Sequence, residues 1–414
     1  MKKWILILGV AAVVIAAAAF AVRSWACAQA LWSLETATDA TVQTETVRLK
    51  LWSGRLELRQ IAMTPRSSSA LWQRMTAEKA VATIRWGEWS KAGIPMEVKL
   101  EGCAVLLRQN LPRDFSKAMP RIATTSDAPA ASSWRPRIVL VALAAQDGSL
   151  FASENAEPLL NGLNGSAYRA LQGWQGGLTA QVVGPFTNVK ADFATEGDGW
   201  RLARIQADYA NGTVKGNGLY HATGLADLDL EVENVDVAAV APAWCQLSGI
   251  LNARLQCLIN TLQWDESTAT GDFVCREAKL NLGKLPGVQS LMAGRMDVAS
   301  LQLDTVQGKC ALSPKQWSLN DLLVQKNDVF AVKGNLAALP SGILQVDLQL
   351  GLPAGEKDEF LWKTFQMEIA PEQFFQKWLG QLLTPASDGN APAIPTSLPD
   401  KARSLLDGLR GLLP

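Results

Sequence analysis

Alternation of apolar and polar residues in strand-length pieces constrains this chain most. In Leu228-Asp229-Leu230-Glu231-Val232-Glu233 the leucines and valine fall on one side of an extended backbone and the acids on the other. The same period recurs in Arg55-Leu56-Glu57-Leu58-Arg59, Leu280-Asn281-Leu282, Leu301-Gln302-Leu303-Asp304 and Leu344-Gln345-Val346-Asp347-Leu348-Gln349-Leu350. Turn signals close the pieces, at Asp198-Gly199, Asn211-Gly212, Gly216-Asn217-Gly218 and Pro340-Ser341-Gly342. Roughly eighteen to twenty such segments predict a mainly β fold, an elongated antiparallel meander with few helices rather than a βαβ architecture. Ile138 to Leu143 is a continuous apolar run, which predicts a strand buried on both faces.

The N-terminus reads differently. Lys2 and Lys3 precede an uncharged apolar run from Trp4 to Val22, closed by Arg23. Its side chains include Ile5, Leu6, Ile7, Leu8, Val13, Val14, Ile15 and Phe20. About 19 residues at ~1.5 Å rise give roughly 28 Å of helix, enough to span a bilayer core once. The reading is a single retained transmembrane anchor over residues 1–25, with the lysines inside and the bulk of the chain exported. A cleaved signal is the competing reading, because Ala26, Ala28 and Ala30 supply small-x-small choices for a cut.

Helical spacing is confined to a few places. Ser68 to Ala80 reads as a short helix or a loop, and 371–383 as a short helix with Phe374, Phe375, Trp378, Leu379, Leu382 and Leu383 recurring at three and four. The tail over 399–414 is an amphipathic helix carrying Leu405, Leu406, Leu409, Leu412 and Leu413 on one side. Proline-rich composition marks 120–136 as a linker or insertion and 384–398 as a linker. The expected order is therefore anchor 1–25, N-terminal β region 26–119, linker 120–136, main β domain 137–370, and the two short helices around the second linker.

Lys plus Arg equals Asp plus Glu, so the chain lacks the net positive charge of a nucleic-acid binder. Six cysteines occur without any C-x-x-C pair, which disfavours zinc. Most sit in strand-like surroundings as small hydrophobes, with Cys245–Cys257 and Cys275–Cys310 as candidate bridges in an oxidising compartment. The single histidine, His221, has the setting of a turn residue, and Asp227, Asp229, Glu231 and Glu233 form the polar side of one strand. Nothing nominates a catalytic residue, cofactor or metal site. Of fifteen tryptophans, Trp4, Trp25 and Trp32 flank the anchor, and those of the β region read as core.

Val47 to Ile61, with its Ser53-Gly54 turn between two strands, resembles the opening that follows the anchor in AsmA-like envelope proteins, relatives of the TamB-type lipid-transport bridges. Leu230 to Leu255, through Val235 to Pro242 and the L-x-G-x-L-x-A-x-L run from Leu247, is similar to that family's C-terminal entry, and Leu301 to Leu350 to its closing meander. The resemblance implies an inner-membrane protein with its bulk in the periplasm. It also implies a non-enzymatic part in outer-membrane biogenesis or phospholipid passage, along an apolar groove in a curved sheet. Membrane lipids and an envelope protein are the implied partners. The candidate groove lining is Leu56, Leu58, Leu228, Leu230, Val232, Leu301, Leu303, Val346, Leu348 and Leu350; an ordinary closed sandwich or helix-covered core is the competing reading of the same residues. A structural subunit of a secretion machine, like the anchored N component of type II secretion, is the alternative function.

Overall fold

The computed structural model describes residues 21–36, 38–50, 53–66, 72–88, 93–107, 137–281, 300–326, 330–353 and 360–374, apart from short gaps at 155, 172, 222, 242–244 and 261–262. The anchor run up to Phe20, the 120–136 and 384–398 linkers, the tail 399–414 and most of the helix at 371–383 lie outside the described residues. Among the described residues no helix is long and apolar enough to cross a membrane.

Among the described residues nineteen strands form one mostly antiparallel, open sheet, a mainly β fold as the alternation predicts. The chain divides into two compact units, residues 1–207 with 219–224 and residues 208–218 with 225–414.

The first unit opens with a helix, α1, over residues 21–36. It continues with β1 (Ala40–Lys50), β2 (Arg55–Pro65), β3 (Trp72–Ile84), β4 (Ile94–Leu107), β5 (Ile138–Phe151), β6 (Pro158–Ala170), β7 (Gly173–Val183) and β8 (Phe186–Glu196). Each strand from β1 to β8 pairs with the next, antiparallel except at β4 and β5, which run parallel with Ile94 opposite Ile138. A parallel neighbour requires the chain to return to the starting end of the sheet, so the strands on either side of 120–136 lie side by side. β9 (Gly199–Tyr209) and β10 (Gly212–Tyr220) carry the sequence from one unit into the other. The second unit holds β11 (Leu225–Asp236), the single turn α2 (Val237–Val240), β12 (Leu247–Asn260), β13 (Thr268–Leu280), β14 (Leu301–Gln302), β15 (Thr305–Leu312), β16 (Trp317–Lys326), β17 (Phe330–Ala338), β18 (Leu344–Pro353) and β19 (Phe360–Ile369).

Four expectations change. Residues 72–80 of the proposed helix or loop are strand β3, because Ala77, Ala80 and Ala82 bury against the core while Glu78 and Lys79 continue the polar side. Residues 26–36 do not open the N-terminal β region but belong to helix α1, which buries Ala26, Ala30 and Leu34 at a spacing of four. Ile138 and Leu140 are buried, but Val139 and Val141 are half-exposed, so β5 is covered on one face only. All six cysteines are free. Cys275 lies opposite Val306 and Cys310 opposite Gly271, a stagger of roughly 13 Å at ~3.3 Å per residue, against the ~7 Å a disulfide tolerates.

The strands bend at a recurrent device. Gln60, Asp147, Asn234, Glu277 and Asp321 have positive φ inside strands, and at each the apolar side changes phase by one residue. In β2, buried Leu56 and Leu58 are followed by buried Ile61 and Met63; in β13, Cys275 is followed by Ala278. An extra residue of this kind turns the strand and deepens its twist. Three of the bulges are held alike: the backbone N–H of Asp147, Asn234 and Asp321 donates to the Oδ1 of Asn164, Asn252 and Asn335 on the following strand, at 3.2, 3.1 and 3.2 Å.

Candidate functional site

The clearest two-faced surface is built by β10 to β13 in the second unit. Leu228, Leu230 and Val232 stand opposite Cys257, Leu255 and Ala253 of β12, and that row continues into Ala269, Gly271 and Phe273 of β13. On the other side β10 offers Gly216 and Gly218. A Cβ at either would lie 2.6 Å from a Cδ2, that of Leu230 or Leu228, and closer still to the backbone oxygens of Asp229 and Asp227. Only glycine lets both leucines lie over β10. The result is a shallow apolar surface in which Leu228, Leu230, Leu255 and Phe273 stay half-buried, while Val232, Ala253 and Cys257 beside them are buried.

The reverse face of these strands is charged. Asp227, Asp229 and Glu231 are exposed; Arg254 pairs with Glu231 at 3.3 Å, and Lys215 donates to Glu233. That contact holds the Glu233 carboxyl below its ordinary range and raises the Lys215 ammonium. The acids named from the sequence are thus rungs of a solvated ladder.

The remaining candidate lining residues sit elsewhere. Leu56 and Leu58 are 1% and 2% exposed, in one core with Ala26, Ala30 and Leu34 of α1 and with Ile84, Met96 and Ile138. Val346, Leu348 and Leu350 are buried with Leu322, Val332, Phe365 and Phe374. Leu303 is buried and Leu301 half-buried beside Val237, Ala278 and Val306. Of the ten, only Leu228, Leu230 and Leu301 keep substantial exposure, and the structure brings together Leu228, Leu230 and Val232. Sequence reasoning took Gly216-Asn217-Gly218 for a turn, whereas it lies inside β10, and so missed Gly216, Gly218 and Leu255 as parts of the same surface. The alternation of Leu251, Ala253 and Leu255 was readable, but the overlay of leucine on glycine depends on register. The first unit has a comparable stretch in β6 to β8, where Leu163, Leu178 and Phe193 are half-buried.

Chemistry elsewhere is quiet. His221 lies in the turn after β10, its carbonyl accepting from the Gly224 N–H at 3.0 Å. Burial pushes the thiols of Cys103 and Cys275 up to about 11, so both are protonated at neutral pH and serve as apolar filling. Among the described residues no group of three or more His, Cys, Asp or Glu side chains is placed to hold a metal ion. Trp25, Trp72, Trp86, Trp174 and Trp317 pack against buried cores.

Fold and surface together define a class: a mainly β protein built on a bulge-bent, mostly antiparallel open sheet. No protein-family model matches the chain, and no curated protein does.

Proposed function

We propose that this chain is a non-enzymatic, membrane-anchored envelope protein that handles phospholipid acyl chains along the apolar face of its sheet. The observation that carries the reading is the half-buried surface of Leu228, Leu230, Leu255 and Phe273 over the Gly216 and Gly218 floor, backed by the reverse face on which β11 carries Asp227, Asp229, Glu231 and Glu233. An acyl chain laid there would remove apolar area from water at ~25 cal/mol per Å². The resemblance to AsmA-like proteins, the apolar run from Trp4 to Val22 and the lysines before it support an inner-membrane anchor with the sheet in the periplasm. Membrane lipid is the partner, and an envelope protein a second one.

The test is a photo-crosslinking residue at position 230 in the full chain, with position 58 as the internal control. Crosslinks to phospholipid at 230 and none at 58 support the reading. Crosslinks only to protein at 230 would transfer the surface to an interaction subunit of an envelope machine.

A further inference from the structure

The opposite, polar face of the first unit holds an open depression of about 440 Å³. Its floor is one cross-strand row: Lys99 of β4 faces Ala144 of β5, then Ser166 of β6, Gly177 of β7 and Asp192 of β8. Elsewhere on this unit the polar face is filled by long charged pairs, such as Lys79 with Glu101 at 2.9 Å. Here three successive strands contribute Ala144, Ser166 and Gly177, and the face is cut down to its backbone.

Longer side chains flank the cut. Gln146, Asn164, Thr179 and Lys190 line one side. On the other, the next row of β6 and β7 pairs Tyr168 with Gln175, whose Nε2 donates to the Tyr168 hydroxyl at 2.6 Å, and Tyr168 is 51% exposed. The ends are cationic: Lys99 at β4, and Lys190 and Arg204 beyond β7, with Asp192 held by Arg204 at 2.8 Å. From β4 to β8 the trough runs across four strand spacings, roughly 19 Å at ~4.8 Å each.

We infer that this trough is a binding site for an extended, negatively charged glycan. Three observations select that chemistry. Lys99 pairs with Glu101 at 3.4 Å and Arg204 with Asp192 at 2.8 Å, which leaves Lys190 as the excess positive charge of the lining and favours an anion. Amide and hydroxyl side chains of Gln146, Ser166, Thr179 and Tyr168 match sugar hydroxyls, and the exposed Tyr168 ring offers a stacking face. β5, β6 and β7 are each paired on both sides, so a peptide strand finds no free backbone edge to join. The lipid-bearing surface proposed above lies in the other unit, so the two readings stand or fall separately.

The experiment is calorimetric titration of the purified full chain with oligogalacturonate, a neutral cello-oligosaccharide and polyglutamate, on the native protein, Ser166→Tyr and Lys190→Glu. Ser166 is exposed and mid-strand, where tyrosine is well tolerated, and Lys190→Glu changes an exposed surface charge. The expected result is salt-sensitive oligogalacturonate binding, weakened at least tenfold by either substitution, with no neutral-sugar binding and no competition from polyglutamate. Failure of oligogalacturonate to bind, unchanged affinity in both variants, equal affinity for the neutral sugar, or displacement by polyglutamate would overturn the inference.

Discussion

Strands β2 and β11 share a plan and end in opposite environments. Each carries an alternating apolar side and a mid-strand residue of positive φ, Gln60 or Asn234, that shifts the phase. Yet Leu56 and Leu58 are sealed, whereas Leu228 and Leu230 are half-buried. The strands' own residues do not decide this. β2 shares a core with α1, whose Ala26, Ala30 and Leu34 close over the sheet, while β11 lies between the glycines of β10 and the small Ala253 and Cys257 of β12. A sheet of uniform pattern thus becomes core or open surface according to what lies on it and how large its neighbours are.

The largest expected effect separates the two environments directly. Leu58→Asp buries an unpaired charge and is expected to cost more than about 4 kcal/mol, whereas Leu230→Asp, with water at hand, costs less than about 2. Urea denaturation of both variants measures the gap, and equal losses would erase the distinction. Next comes the lid itself: Leu34→Ala should cost about 2–4 kcal/mol by opening a cavity under α1, and a loss under ~0.5 kcal/mol would mean that α1 does not seal the strands. Removal of a bulge partner ranks third. Asn252→Ala leaves the Asn234 N–H without its acceptor and is expected to cost about 1–2 kcal/mol, with Asn335→Ala and Asn164→Ala behaving alike.

A pH dependence is common to both units. The Cys103 and Cys275 thiols titrate at about 11 in the folded chain, raised by burial from an ordinary 9.0. Stability from their protonated state is fully present below pH 9 and is lost as pH rises from 9 to 11, because unfolded thiols ionise first. The melting temperature should fall over that window and fall less in a Cys103→Val, Cys275→Val double variant. An unchanged slope would show that neither thiol is shielded as described.

Much of the fold was legible because period-two alternation is local. It gave the mainly β class, a strand count close to nineteen and the polar ladder of Asp227 to Glu233. The bulges are one-residue slips of phase in Leu-Glu-Leu-Arg-Gln-Ile-Ala-Met and Leu-Glu-Val-Glu-Asn-Val, which the alternation alone did not single out. What the sequence hid is relational. Trp72 to Ala80 has near-helical spacing of its apolar residues, and cross-strand burial overrides it. Helix α1 was divided between the anchor and the N-terminal β region, since Arg23 closes the apolar run and Ala26 and Ala30 of the buried stripe are small residues that also suit a cleavage site. The candidate lining mixed sealed and open leucines because alternation reports which side a residue faces, not what covers it. The trough on the polar face was invisible for the same reason: Ala144, Ser166 and Gly177 are distant in sequence and adjacent only through register.

The central claim is that the exposed apolar surface over β10 to β12, not the sealed core beneath α1, carries lipid. Its most direct test is quantification of phospholipid retained by the full chain after gentle detergent extraction, for the native protein and for a Leu228→Asp, Leu230→Asp variant of matched fold by circular dichroism. The account predicts stoichiometric phospholipid on the native chain and at least a fivefold loss in the variant. Equal lipid on both, or none on the native chain, would contradict it.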